Sequence, residues 1–278
     1  MPLDTSTYNL ALLRIDGRRW NELRQLRGQI RTQAAADGSS YLEMGNTKVM
    51  CVVTGPSEDG GGKQQRRGAG AGTSSSGGGA TNAADIVVGV VVGGFSTTDR
   101  KRRARGDKRI QELQSTLSKS LAATLHAHLF PRSTISISLH VLSQDGSLLA
   151  CLINAATLAL VDAGIPMTDY LVACSAGSTS SHAAGDERAD PLIDLNNQEE
   201  QELPFLTVAT LGATDKVVAL VCESRVQVSR LEGMMAAAAD GCVGVRAYLD
   251  AVVREKGRKM VDEGAVEKGV SMAMDIDA

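Results

Sequence analysis

A segment that is apolar around its whole circumference must be enclosed by protein or lipid on every side. Residues 147–166 read SLLACLINAATLALVDAGIP and form such a segment. The run from Leu148 to Ala163 is broken by Asn154 and Asp162, so it falls short of the roughly 18 uninterrupted apolar residues of a membrane span. It is therefore expected to be a helix buried inside the fold. Gly164 suits its C-terminal end and Pro166 prevents its return. Aromatic residues make up only 3% of the chain, so Ala, Val, Leu and Ile must build the core, which favours helices packed tightly on sheets.

The segments around this helix alternate between strand and helix patterns. YLEMG and TKVMCVVTGP read as two strands joined by a turn at Gly45-Asn46. IVVGVVVGGF is Val-rich and apolar on both faces, which predicts a central buried strand. Ile110, Leu113, Leu117, Leu121, Leu125 and Leu129 recur every three or four residues, a helical stripe that Pro131 would stop. His126 and His128 fall on that predicted helix, facing different ways. In TISISLHVL, Ile135, Ile137, Leu139 and Val141 alternate with Ser136, Ser138 and His140, the period of a half-buried strand. Further strands are expected at YLVACSA, FLTVATLG and KVVALVCE. A last helix should open at Ser229, where Ser229 and Glu232 have capping-box spacing, and Ala236–Ala239 should pack closely on a sheet. A faint echo between GNTKVMCVV and GATDKVVALV suggests two similar halves.

Residues 58–84 are Gly/Ser-rich, a composition that cannot offset its own ordering entropy, and are expected to form a disordered insertion. The expected domain is 1–257, followed by a C-terminal tail at 258–278. The N-terminus lacks the pattern of a secretory signal. Cys51, Cys151, Cys174, Cys222 and Cys242 are scattered and odd in number, so they read as small core residues in a reducing compartment. His126, His128, His140 and His182 form no metal or catalytic set. The net charge is −3, yet Arg100–Arg109 holds seven Lys or Arg against Asp107, so the rest of the chain carries −9. Such a patch can bind phosphates locally while the remaining surface repels them, although charge alone favours a solvated loop. LIDLNNQEE, with Asp194, Glu199 and Glu200, reads by itself as a solvated acidic loop. Neither a GxGxxG after a strand nor a GxxxxGK[ST] supports a nucleotide-binding enzyme.

RIDGRRWNELRQLRGQI, GNTKVMCVVTGP, FPRSTISISLHVLSQDG and INAATLALVDAGIPMTDYLVACSAG together resemble the ribonuclease PH family, within it the exosome ring subunit that is catalytic in archaea. The resemblance runs from about Arg14 to about Lys256. It implies an α/β (α+β) fold of two similar β-α halves with helices on mixed sheets. It also implies a six-membered ring of related subunits around a channel for single-stranded RNA. Partners would be the other ring subunits, RNA-binding cap subunits and an associated catalytic nuclease, in the nucleus, nucleolus and cytoplasm; no cofactor, metal or membrane is expected. Phosphorolysis needs a cationic pocket for the attacking phosphate, an acid near the leaving oxygen and basic residues that fix the RNA end. In active relatives a Gly-Ser-Arg sequence supplies the pocket. Here Ser147, Leu148 and Leu149 stand at the corresponding positions, with Leu149 at the arginine. Asp194 and Glu200 match the acid pair, Glu200 being one methylene longer than the aspartate of active relatives. Lys108 and Arg109 match the arginines that guide RNA, and Arg100, Lys101, Arg102, Arg103 and Arg105 widen the basic ring. The resemblance therefore implies an RNA-contacting subunit whose catalytic residues survive only as vestiges, the alternative being an active phosphate-dependent 3′-5′ exoribonuclease.

Overall fold

The computed structural model describes residues 13–58, 83–97, 100, 106–179, 191–212 and 216–267. Most of the Gly/Ser-rich insertion and the last part of the C-terminal tail lie outside them. The fold is mixed α+β. One antiparallel run comprises β1 (Leu26–Ile30), β2 (Gly38–Met44) and β3 (Thr47–Glu58). Then come β4 (Asp85–Val92), α1 (Lys108–Thr124), β5 (Ser133–Ser143) and α2 (Leu148–Asp162). The second half holds β6 (Leu171–Ser178), β7 (Pro191–Ile193), α3 (Asn197–Glu202), β8 (Phe205–Leu211), β9 (Val217–Cys222) and α4 (Val228–Glu267). The strands form a five-stranded sheet in the order β1-β2-β3-β5-β4 and a four-stranded sheet in the order β7-β6-β8-β9.

Helix α2 lies between the two sheets, contacting β2 and β3 on one side and β6 on the other. Every residue from Leu149 to Leu160 is buried. Its few polar side chains are spent on the sheets beside it. β7 pairs only with Ala176–Ser178 of β6, leaving the first part of that edge open. Asn154 closes it, accepting from the Ala173 N–H and donating to the Ala173 carbonyl, both at 2.9 Å. Thr157 donates to the Leu171 carbonyl at 2.7 Å. From the other sheet, Ser40 donates to the Ala155 carbonyl and the Ser39 N–H donates to Asp162. Backbones approach so closely there that a Cβ on Gly38 would lie 2.3 Å from the Ala159 carbonyl. The core is aliphatic, and its largest fully buried side chains are Leu, Ile and Met.

The two halves echo each other. Gly45 and Gly212, both at positive φ, each precede the second strand of an antiparallel hairpin, β2–β3 and β8–β9. Several local expectations are corrected. β4 is an edge strand, not a central one, paired in parallel only with β5. Val87 and Val91 face solvent, so apolar composition on both faces did not mean burial on both. Helix α1 ends at Thr124, well before Pro131. Leu125 is its extended C-cap, and Leu129 is exposed in a short 3-10 turn, Ala127–Leu129. His126 and His128 therefore lie outside α1, with their rings edge to face at 5.5 Å. Cys222 is exposed on an edge strand, while the other four cysteines are buried. Helix α4 begins at Val228, so Ser229 is inside its first turn, and it runs past Gly257 to Glu267. Ala237 and Ala238 pack on the sheet as expected, while Ala236 faces outward. The capping box that does form is Asn196 with Glu199, at the start of α3.

Replacing Asn154 by Ala strands a buried N–H and a buried carbonyl of β6, at about 1–3 kcal/mol for each unsatisfied group. Urea unfolding should show that loss, and Asn154→Asp should not recover it, because a fully buried carboxylate without a counter-charge carries its own desolvation penalty.

Candidate functional site

The head of α2 is where distant segments converge. Residues 145–147 form the turn into the helix. A Cβ on Gly146 would lie 2.3 Å from the Leu195 carbonyl and its φ is +77, so glycine alone fits. Ser147, the N-cap, and Asp194, just after β7, both adopt left-handed backbone at φ 50 and 53. Non-glycine residues take that conformation only where surroundings hold them in it.

The surroundings here are ionic. Asp194 has no solvent exposure. Arg24 grips its carboxylate with two guanidinium nitrogens, at 3.0 and 2.7 Å, and with its backbone N–H at 3.0 Å. Ser147 Oγ donates to the same carboxylate at 2.9 Å and also hydrogen-bonds the Ser175 hydroxyl. The Arg24 guanidinium reaches on to the Asp145 carbonyl. Burial alone would raise the Asp194 carboxyl, but the charge and hydrogen bonds of Arg24, with Ser147, hold it below its ordinary value. A second buried pair lies beside it. Arg14 binds Glu199 and donates to the carbonyls of Ile193 and Asp194. The acidic segment is thus a buried, ion-paired structure and not the solvated loop its composition suggests.

Glu200 has a different environment. Its carboxylate accepts the Ser147 N–H at 2.5 Å, the position where a helix start attracts an anion. Burial pushes its carboxyl up to about 7. The Ser147 hydrogen bond and the charges of Arg24 and Arg109 oppose that rise, and Asp194 adds to it. Glu200 lines a cleft of about 60 Å³ with Arg109, Glu112, Gln144, Leu148, Leu149 and Glu223 among its walls. Among the described walls, one guanidinium faces three carboxyl groups.

The structure therefore brings Arg109, Leu148, Leu149 and Glu200 to one cleft, with Ser147 at its back and Asp194 sealed beneath. Lys108 and Arg100 are exposed. Lys101, Arg102, Arg103 and Arg105 lie outside the described residues. Asp107, the acid within the basic run, is the N-cap of α1 and accepts from the Arg109 N–H at 3.2 Å. Sequence reasoning missed Arg14, Arg24, Glu112 and Glu223. The arginine-rich opening was a signal, but its partners stand about 170 residues away. Among the described residues no group of three or more His, Cys, Asp or Glu is disposed to hold a metal ion.

Residues 22–166 match the model of the 3′ exoribonuclease family, domain 1, and residues 169–241 match its domain 2. This chain belongs to the ribonuclease PH family. Within that family it is 37% identical over 250 residues to exosome complex component ski6 of Schizosaccharomyces pombe, covering 90% of this chain and 94% of the relative. It is 39% identical over 257 residues to exosome complex component RRP41 of Mus musculus, covering 92% and 95%. The crystal structure of rice (Oryza sativa) Rrp46 shares the ribonuclease PH fold, with a TM-score of 0.69 at 24% identity over 87% of this chain and all of that one.

Asp194→Ala should cost roughly 3–5 kcal/mol, because it leaves Arg24 buried without its counter-charge; chemical denaturation of the variant measures this. The two acids carry opposite pH signatures. The Asp194 pair stabilises above the ordinary Asp pKa, and that contribution is lost as pH falls through its lowered folded value. Glu200, with its raised value, contributes stability below the ordinary Glu pKa that is lost as pH rises through about 7. Glu200→Gln should therefore flatten the decline in stability between mildly acidic and mildly alkaline pH. An unaltered profile would show that Glu200 ionises normally.

Proposed function

We propose that this protein is a ring subunit of a eukaryotic RNA exosome, one that scaffolds the ring and lines the channel threading single-stranded RNA, without cleaving it. Exosome components at 37% and 39% identity, matched along almost their whole length, support the ring-subunit assignment. Other ring subunits, RNA-binding cap subunits and an associated catalytic nuclease would be its partners, in the nucleus, nucleolus and cytoplasm. The observation that carries the non-catalytic reading is the head of α2. By the family resemblance Leu149 stands at the position of a phosphate-binding arginine; it lines the cleft, and the Ser147 N–H is already held by Glu200. An attacking phosphate would meet Glu112, Glu200 and Glu223 with Arg109 as the one cation among the cleft's described walls, whereas phosphoryl chemistry requires the opposite field. Exposed Lys108 and Arg109, with the other cations of residues 100–105, supply the RNA contact.

One observation favours an active phosphate-dependent 3′-5′ exoribonuclease. A carboxyl pushed up to about 7 is suited to general-acid work near neutral pH. The two readings part in one assay. The assembled ring, given labelled RNA with and without inorganic phosphate, should release no nucleoside diphosphates. Phosphate-dependent release that disappears in Glu200→Gln would establish the catalytic reading instead. Glu200→Gln is the informative variant, since loss of Asp194 would disturb the fold whatever the chemistry. In the same ring, Lys108→Glu with Arg109→Glu should weaken single-stranded RNA binding equally for all sequences, because phosphate contacts carry no base information. The slope of log affinity against log salt should fall by about 0.7 for each RNA phosphate that is no longer neutralised.

A further inference from the structure

We propose that the outer edge of β1, facing α4, is a docking groove for an extended, acidic segment of a partner protein, which adds to the five-stranded sheet as a further strand. β1 is the terminal strand of its sheet. Its hydrogen-bond parity is set by its two ends: the Arg31 N–H donates to Ser39, and the Gln25 carbonyl accepts from Gly45, so the odd residues serve β2. The even residues point outward, because both backbone groups of one residue lie on the same side of an antiparallel strand. The Gly28 N–H confirms the parity by donating to the Tyr248 hydroxyl of α4 at 2.7 Å. The Gly28 carbonyl and both backbone groups of Ile30 then face the groove.

Beyond Tyr248 a cavity of about 380 Å³ separates strand from helix, within the roughly 300–1,000 Å³ of ligand clefts. One wall is Gly28–Thr32, and the other is Val252, Glu255, Lys256 and Lys259. The i, i+3, i+4, i+7 spacing puts these four residues on one face of α4. Ile30 and Val252 supply apolar surface. Lys259 is paired with Glu255 at 2.6 Å, whereas Arg31 and Lys256 have no ionic partner among the described residues. The groove thus offers three things together: outward strand-edge groups, an apolar strip and two uncommitted cations. An extended peptide with carboxylates on one face and apolar residues on the other satisfies all three, in the manner of strand addition to a sheet edge. RNA fits less well. No aromatic ring lines the cavity for base stacking, Glu255 stands in the wall, and a phosphate backbone does not match the strand-edge pattern of N–H and C=O.

The test uses the full chain and a short fluorescein-labelled peptide alternating Val and Asp. Anisotropy should report saturable binding, and hydrogen exchange should show the Ile30 amide becoming protected. Arg31→Glu with Lys256→Glu, the first exposed and the second half-buried, should weaken binding at least roughly tenfold without moving the thermal midpoint of the free chain. Methylating alternate peptide amides should abolish binding, as should replacing Asp by Lys. The proposal is overturned if the methylated peptide binds as well as the parent, if the double variant binds unchanged, or if Ile30 stays unprotected. It is also overturned if oligouridine binds the chain and the same two substitutions abolish that binding while the peptide does not compete.

Discussion

Asp194 carries its charge in a site with no access to water, and the surrounding structure is arranged to sustain it. An unpaired carboxylate there would carry a desolvation penalty of several kcal/mol. Arg24 offsets that penalty only by committing two guanidinium nitrogens and its own backbone N–H. The same guanidinium reaches residues 145 and 146, and Ser147 completes the carboxylate's shell. The N-terminal segment, the turn into α2 and the end of β7 are therefore held as one unit. Arg14 and Glu199 repeat the device beside it. Each pair spans more than half the chain, so this unit can form only when both halves have folded against each other.

That unit defines what the neighbouring cleft can do. Asp194 is committed to Arg24 and Ser147. Glu200 turns its carboxylate onto the Ser147 N–H at the start of the helix. Leu149, Glu112 and Glu223 line the same cleft, with Arg109 as the one cation among its described walls. A scaffold role uses the same fold without that chemistry, since ring contacts and phosphate contacts to RNA need surface and not a cationic pocket.

Helix α2 shows how a nearly apolar helix can still carry information. Asn154 and Thr157 look like interruptions in an apolar run, yet they replace the missing stretch of β7 along the edge of β6. The outer strands of the five-stranded sheet are treated differently. β4 presents Val87 and Val91 to solvent, while α4 shields β1 at Gly28 and then draws away from it, leaving outward backbone groups beside two unpaired cations.

Local order along the chain was legible in the sequence because period and turn chemistry are local properties. The alternation in residues 135–141, the Gly45 turn, the burial of residues 149–160 and the stop at Gly164 all followed from nearest neighbours. The family resemblance gave Ser147, Leu148 and Leu149 as a phosphate site, Asp194 and Glu200 as an acid pair and Lys108 and Arg109 as RNA contacts. Of these, Arg109, Leu148, Leu149 and Glu200 line one cleft, while Asp194 is buried away from it. What the sequence could not decide was position within a sheet and choice of ionic partner. IVVGVVVGGF has the composition of a central strand, but neighbours across a sheet decide exposure, and β4 has one. LIDLNNQEE has the composition of a solvated loop, but the arginines that bury it lie about 170 residues away. Composition reports a residue's own preference, whereas burial and charge pairing depend on what the rest of the fold brings against it.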